Sequence, residues 1–257
     1  MQQFFVDDCQ IGREYVTITG PDVRYMRAVL RMKPGEKIRV SSASGRNLLC
    51  AISEITDAFV QADIIDGNAP DTELPSRITL FQAIPKGDRM EYVIQKAVEL
   101  GVSRIVPVAM KYCVVRLDAK KASNKQKRWQ SIALSAARQS KRSVIPQVCP
   151  VMTLEEALAE GKRMDLRIVP YENARGMQST AQILPKICPG QDIGVYIGPE
   201  GGFAEEEIEA LRPGAEVISL GRRILRTDTA AVTVMSFLSL RLEYALEQQN
   251  HTESMQE

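Results

Sequence analysis

The 257-residue sequence predicts an α/β protein, a parallel sheet covered by helices, preceded by a smaller β-rich domain. Three observations carry this reading. From residue 78 onward, short apolar runs alternate with stretches of helical periodicity, the pattern of parallel strands joined by crossover helices. Residues 1–66 instead hold strand-like runs parted by turn signals. Finally, the glycine-containing loops at Gly198–Gly202 and Gly221–Arg226 each follow a short apolar run and precede a helical pattern. Such loops are expected side by side at the carboxyl ends of neighbouring strands, where open α/β sheets bind ligands.

In chain order, Phe4-Phe5-Val6, Lys37–Ser42, Leu48–Ile55 and Phe59–Ile65 read as strands, with turns at Met32-Lys33-Pro34-Gly35 and Ser44-Gly45-Arg46. Pro21 opens a helix through Leu30, since proline fits a first turn. The breaker-rich run Asp66–Thr72 reads as a linker, which sets domains at 1–70 and 74–248. Beyond it, Ile78–Ala83 is a strand. Met90, Val93, Ile94, Ala97 and Val98 repeat at helical spacing until Gly101 ends the helix. Arg104–Val108 is again a strand, Ser123–Gln139 a basic helix and Leu154–Ala159 a short helix. Leu166–Pro170, Ile193–Ile197 and Glu216–Ser219 supply further strands. The final helix, Thr229–Leu246, carries twelve apolar or aromatic residues in eighteen, with only Arg241 and Glu243 charged. Apolar positions on nearly every face imply burial on more than one side, by the chain's own core or by a partner subunit. Residues 249–257 read as a disordered polar tail.

Composition excludes several classes. The five cysteines are scattered with no C-x-x-C pair, the pattern of reduced thiols in a cytoplasmic protein. The first ten residues lack the features of a signal peptide, and no apolar run reaches membrane-spanning length. The only histidine, His251, lies in the tail, so histidine-based triads, histidine general bases and most zinc sites are absent, and no metal is expected. The net charge of +1 conceals a basic stretch: Lys111–Arg142 holds ten Lys or Arg against one acid, Asp118. That imbalance points to nucleic acid.

The first loop, Ile197-Gly198-Pro199-Glu200-Gly201-Gly202-Phe203, matches neither G-x-G-x-x-G nor the Walker pattern. Glu205, Glu206 and Glu207 fill the next helical turn, where carboxylates suit the helix dipole but repel a phosphate. A neutral or cationic ligand fits better than a nucleotide phosphate. A tight turn with a capped helix is the structural alternative. The second loop, Leu220-Gly221-Arg222-Arg223-Ile224-Leu225-Arg226-Thr227-Asp228-Thr229-Ala230, is basic, and Thr227-Asp228-Thr229 resembles a helix cap.

Together these loops resemble those of the RsmE family, the small-subunit ribosomal RNA uridine-N3 methyltransferases of the SPOUT superfamily. Pro85-Lys86-Gly87-Asp88-Arg89-Met90-Glu91, the run Gln95–Val102, and Ala136-Ala137-Arg138-Gln139-Ser140-Lys141-Arg142 are similar to further family signatures, as are Val29-Leu30-Arg31 and Gly35. Asp228, Ala204 and Ser135–Arg138 depart from the family pattern. The resemblance implies a PUA-like β-barrel as first domain and a SPOUT methyltransferase domain with a trefoil knot as second. It also implies S-adenosylmethionine as cofactor, a homodimer, and 16S ribosomal RNA or the small ribosomal subunit as substrate. The cofactor is expected against Ile197, Gly198, Pro199 and Gly201, against Leu220, Gly221, Ile224, Leu225, Arg226, Thr229 and Ala230, and at a third loop, Val169-Pro170-Tyr171-Glu172.

Uridine N3 must lose a proton before it attacks the methyl group, so a cation beside the uracil carbonyls would stabilise the anion. Arg226 is expected in that role, with Glu200 as proton acceptor or orienting group, unless a water takes the proton. Lys86, Lys121, Lys125, Arg128, Arg138, Gln139, Lys141 and Arg142 are expected on the RNA-facing side, with Arg138, Lys141 and Arg142 sharing one helix face. Alternatives are a SPOUT enzyme acting on another RNA base or ribose, and a non-catalytic RNA-binding assembly factor.

Overall fold

The structure is a computed structural model that describes residues 1–42 and 44–254, without side chains for 249–254. The chain divides into two compact units: Met1–Glu73 with Ala137–Ile145, and Leu74–Ala136 with the residues from Pro146 onward. The segment 137–145, which the sequence reading leaves in the second domain, therefore belongs to the first.

The first unit is a five-stranded sheet of β1 (Gln2–Val6), β2 (Tyr15–Thr19), β3 (Lys37–Ser42), β4 (Asn47–Ile55) and β5 (Phe59–Asp66), in the order β1-β3-β4-β5-β2. β1 and β3 run parallel, and the other pairs are antiparallel. Alternation points Ile38 and Val40 of β3 and Leu48, Cys50 and Ile52 of β4 into one core with Phe4, Val16, Ile18 and Val60, and the opposite side of β3 is covered too, at Arg39 and Ser41. β2 is a strand additional to the sequence reading. The expected helix from Pro21 is one α turn, α1 (Pro21–Arg24), continued by a π-helical turn over Tyr25–Val29.

The residues 137–145 are locked into this unit by a buried ion pair. Arg142 is 3% exposed and its Nε donates to both carboxylate oxygens of Glu73, at 2.8 and 2.9 Å. The same carboxylate accepts the backbone N–H groups of Ser143 and Val144.

The second unit is a parallel sheet of β6 (Arg77–Ala83), β7 (Arg104–Ala109), β8 (Gln147–Val148), β10 (Leu166–Pro170), β11 (Asp192–Ile197) and β12 (Glu216–Ile218), with the short β9 (Met152–Thr153) beside β7. Strand order is β12-β10-β11-β6-β7-β8. β6 and β11 are buried almost throughout, as central strands covered on both faces must be. The helices are α2 (Arg89–Glu99), α3 (Ala119–Ser140, of which the residues from Ala137 belong to the first unit), α4 (Leu154–Gly161), α5 (Gln178–Ile183), α6 (Glu205–Leu211) and α7 (Thr227–Ser254). Met90, Val93, Ile94, Ala97 and Val98 form the buried stripe of α2, and Gly101 closes the helix at φ +89°.

Two features of this unit position the site. The chain leaves β11, crosses to β12 beyond β10, and α7 then returns to pack on β11 and α2. The two glycine loops thus follow strands separated by β10, not neighbouring strands as the sequence implied. Their gap is filled by the loop after β10. Second, α7 is buried along one stripe, Ala231, Val234, Met235, Leu238, Leu242 and Ala245, while Leu240 and Tyr244 are exposed. The expected tail 249–257 is helical through Ser254, and its last three residues lie outside the described residues.

Candidate active site

Parallel strands deliver all their carboxyl ends to one edge of the sheet, and the loops after β11, β10 and β12 enclose a cavity of about 460 Å³ there. That volume suits a small-molecule ligand, for which pockets run roughly 300–1,000 Å³. Ile197, Gly198, Pro199, Glu200 and Gly201 line it from the first loop, and Pro170, Tyr171 and Glu172 from the middle one. Leu220, Gly221, Ile224, Leu225, Arg226 and Ala230 line it from the third. Val169 and Thr229 do not line it. Val169 packs into the core beneath, and Thr229 points outward on the first turn of α7. The wall also includes Gly202, Phe203, Ser219, Arg222, Arg223 and Thr227.

Glycine is required here for close approach. At Gly202, with φ +73°, a Cβ would collide with Glu172 Oε1. At Gly198 it would press on the Phe203 ring at 3.1 Å. At Gly201 it would come to 2.9 Å from Tyr112 Cβ. Gly221, at φ +109°, has nothing within 4 Å of its Cβ position, so that stretch of wall is open.

The loops are tied together by one hydroxyl. Thr227 is buried, its Oγ1 accepts from Gln82 Nε2 at 3.0 Å, and it donates to the Gly198 carbonyl at 2.7 Å. Gln82 is fully buried at the end of β6, beside Ile197 of β11. Sequence reasoning passes over Gln82 because an amide within an apolar strand carries no motif.

The acids divide in a way the sequence does not reveal. Glu207 is buried and accepts the N–H groups of Lys111 at 2.7 Å and Ala204 at 2.9 Å, while Glu206 pairs with Lys111. None of Glu205, Glu206 and Glu207 lines the cavity, so the expectation that these carboxylates face the ligand is corrected. The carboxylates that do line it are Glu172 and Glu200. Glu200 accepts the Lys86 N–H at 2.9 Å and Arg89 at 2.6 Å. Burial pushes its carboxyl up, but the Lys86 amide, its own amide and the Arg89 guanidinium outweigh that and hold it below the usual glutamate range. Arg222, Arg223 and Arg226 are exposed and make no ion pair among the described residues. The cavity is thus rimmed by unpaired guanidinium groups, with apolar walls at Ile197, Phe203, Leu220 and Leu225.

The basic segment is less uniform than its composition. Lys86, Lys121, Arg128 and Gln139 are exposed, and Lys125 is half-buried. Lys121 pairs with Asp118 and Arg128 with Glu91. Helix α3 ends at Ser140 and Lys141 takes a left-handed φ of +64°, so Arg138, Lys141 and Arg142 do not share a helical face. Arg138 is bonded to Asp22 and Arg142 is buried against Glu73. Both are structural ion pairs of the first unit, which corrects the expectation that they face solvent. Trp129 is buried.

Among the described residues no group of three potential metal ligands is assembled, and no helix is long and apolar enough to cross a membrane.

Comparison with known proteins bears on this site. Residues 72–239 match the RNA methyltransferase domain family, and residues 18–65 match the RNA methyltransferase PUA domain. Ribosomal RNA small subunit methyltransferase E of Bacillus subtilis is 33% identical over 95% of this chain and 98% of its own length. The crystal structure of a ribosomal RNA small subunit methyltransferase E from Neisseria gonorrhoeae, bound to S-adenosylmethionine, is 32% identical, with a TM-score of 0.78 over 93% of this chain and 97% of that one. A Legionella pneumophila methyltransferase with bound S-adenosylmethionine is 30% identical at the same TM-score, over 93% and 98%.

Proposed function

Since the chain belongs to the ribosomal RNA small subunit methyltransferase E (RsmE) family, we propose that it transfers a methyl group from S-adenosylmethionine to N3 of one uridine in 16S ribosomal RNA. The observation that carries this reading is the cavity closed by three loops at the carboxyl ends of β11, β10 and β12, with unpaired arginines at its rim.

The wall fits the cofactor on its own chemistry. Ile197, Leu220 and Leu225 offer apolar surface for an adenine, and Gly221 allows close backbone approach. The carboxylates of Glu172 and Glu200 place negative charge in the wall beside which a sulfonium can sit. When bound, S-adenosylmethionine supplies an electrophilic methyl group on a sulfonium. The protein's task is then to align the uracil and to stabilise its N3 anion. Arg226 is the cation for the uracil carbonyls, because its guanidinium is committed to no carboxylate among the described residues. Glu200 is better suited to orienting than to taking a proton. Its carboxylate is already occupied by the Lys86 amide and Arg89, and both favour the ionised form. A water is therefore the proton acceptor.

The PUA-like first domain, the exposed Lys86, Lys121 and Arg128 and the half-buried Lys125 are the RNA-binding elements. Substrate is 16S RNA within the small subunit or before its assembly. The exposed side of α7, with Leu240 and Tyr244, and Ile224 at 88% exposure form the contact of a homodimer. The return of α7 to β11 and α2 after β12 is compatible with the trefoil knot that family membership implies. A cytoplasmic location follows from a ribosomal RNA substrate.

Reverse transcription of small-subunit RNA tests the reading, since N3-methyluridine blocks the Watson–Crick edge. A strain lacking the gene should lose one stop, and purified protein with S-adenosylmethionine should restore it. Calorimetry should register S-adenosylmethionine and not ATP. Cofactor binding with no lost stop would favour a different RNA target, and neither result would leave an assembly factor.

A further inference from the structure

Tyr112 is an aromatic residue that core packing does not explain. It is 47% exposed, and among the described residues it stacks on no other ring and its hydroxyl makes no hydrogen bond. Yet its backbone is held in place on both sides. The Lys111 N–H donates to the buried Glu207 carboxylate at 2.7 Å, and the Cys113 N–H closes a turn on the Met110 carbonyl at 3.1 Å. Cys113 is buried, and the Lys111 ammonium sits 5.7 Å from the Tyr112 ring centroid.

This fixed turn meets the cavity wall. A Cβ on Gly201 would lie 2.9 Å from Tyr112 Cβ and 3.5 Å from its Cγ, and Gly201 lines the cavity next to Glu200. The root of the ring is therefore pinned against Gly201, on the loop that carries Glu200, although Tyr112 itself is not among the residues that line the cavity. A residue held rigidly against a glycine, with its ring left in solvent, is pre-organised for a planar ligand.

We propose that the Tyr112 ring stacks on an unpaired RNA base at the mouth of the cavity, a role that rests on the methyltransferase reading above. The reaction chemistry requires such a platform. N3 lies on the pairing edge of uracil, so the reacting base must stand outside any duplex and lose its stacked neighbours. An aromatic face replaces that stacking without regard to sequence. Phenylalanine would serve as well as tyrosine, since the hydroxyl has no partner.

The test compares Tyr112→Phe, Tyr112→Leu and Tyr112→Ala in the full-length protein, with small subunits from a strain lacking the gene as substrate. Calorimetry with S-adenosylmethionine, binding of the subunits and single-turnover methylation are measured for each. Tyr112→Phe should match the wild type. Tyr112→Ala and Tyr112→Leu should each weaken subunit binding about tenfold, with cofactor affinity unchanged. In addition, a 5-iodouridine-containing RNA should photocrosslink to Tyr112. If Tyr112→Leu binds subunits like the wild type, the side chain acts only as bulk against Gly201 and the proposal is overturned. Equal loss of cofactor affinity in Tyr112→Leu and Tyr112→Ala would overturn it too, by assigning the residue to loop shape. A wild-type protein that methylates no small-subunit RNA would instead sink the methyltransferase reading, independently of any variant.

Discussion

The hydroxyl of Thr227 donates to the carbonyl oxygen of Gly198 at 2.7 Å, joining the first turn of α7 to the loop that follows β11. Because the same oxygen accepts from Gln82, its hydrogen has only Gly198 to serve, and the direction of the bond is set. Thr227→Val keeps the shape of the side chain but leaves the Gly198 carbonyl and the Gln82 amide short of a partner. Stability should fall by about 1–3 kcal/mol, and cofactor affinity should weaken with it, while Thr227→Ser retains both. Urea denaturation and calorimetry check this. Wild-type cofactor affinity in Thr227→Val would mean that the bond does not shape the cavity.

Arg226 lines the cavity without a carboxylate partner among the described residues, so its removal should leave the fold intact. Arg226→Ala should lower the single-turnover methylation rate by roughly 10²–10³-fold, the usual effect of losing one pre-organised donor to a developing anion. Cofactor and RNA binding should change far less. A wild-type chemical rate in this variant would remove Arg226 from the chemistry.

Glu200 has its carboxyl held below the ordinary glutamate value of 4.5 in the folded chain. A depressed folded pKa means that its stabilising contribution is complete above about pH 4.5 and is lost as pH falls through the lower folded value. Glu200→Gln should therefore lower stability throughout the neutral region and flatten part of the acid limb of stability against pH. Methylation between pH 6 and 8 should show no inflection that disappears in Glu200→Gln. Such an inflection would restore Glu200 as the proton acceptor.

Glu73 and Arg142 form a pair in which the arginine is 3% exposed. Glu73→Ala would take the carboxylate from a buried guanidinium, and breaking a buried pair this way costs about 3–5 kcal/mol. Replacing both residues, as Glu73→Leu with Arg142→Met, should cost much less. Reversing Lys121 and Lys125, which lie on the outer turns of α3, should instead preserve stability while lowering RNA affinity and its salt dependence. Urea denaturation separates the two classes. Unchanged stability in Glu73→Ala would show that the pair is dispensable to the first unit.

Much of the site was legible because its residues are contiguous. Each loop brings its own glycines and side chains to the end of one strand, so Ile197–Gly201 and Leu220–Arg226 reach the cavity as two unbroken runs. The helical stripe Met90–Val98 was readable for a similar reason, since periodicity is a property of neighbouring residues. Local patterns of this kind carry the architecture, the absence of histidine chemistry and the position of the candidate site.

Whatever depends on partners distant in sequence was decided only by the tertiary structure. Ten basic residues in one stretch look equivalent in the sequence, yet Arg142 is buried by Glu73 while Lys127 stays in solvent. Glu207 and Glu200 look alike, but one caps α6 and holds Lys111 while the other faces the cavity. Strand order placed β10 between the two glycine loops, and Gln82, without any motif, became the support for Thr227. A charge or an amide acquires its role from what desolvates it and what bonds to it, and for each of these residues that partner is supplied by another part of the fold.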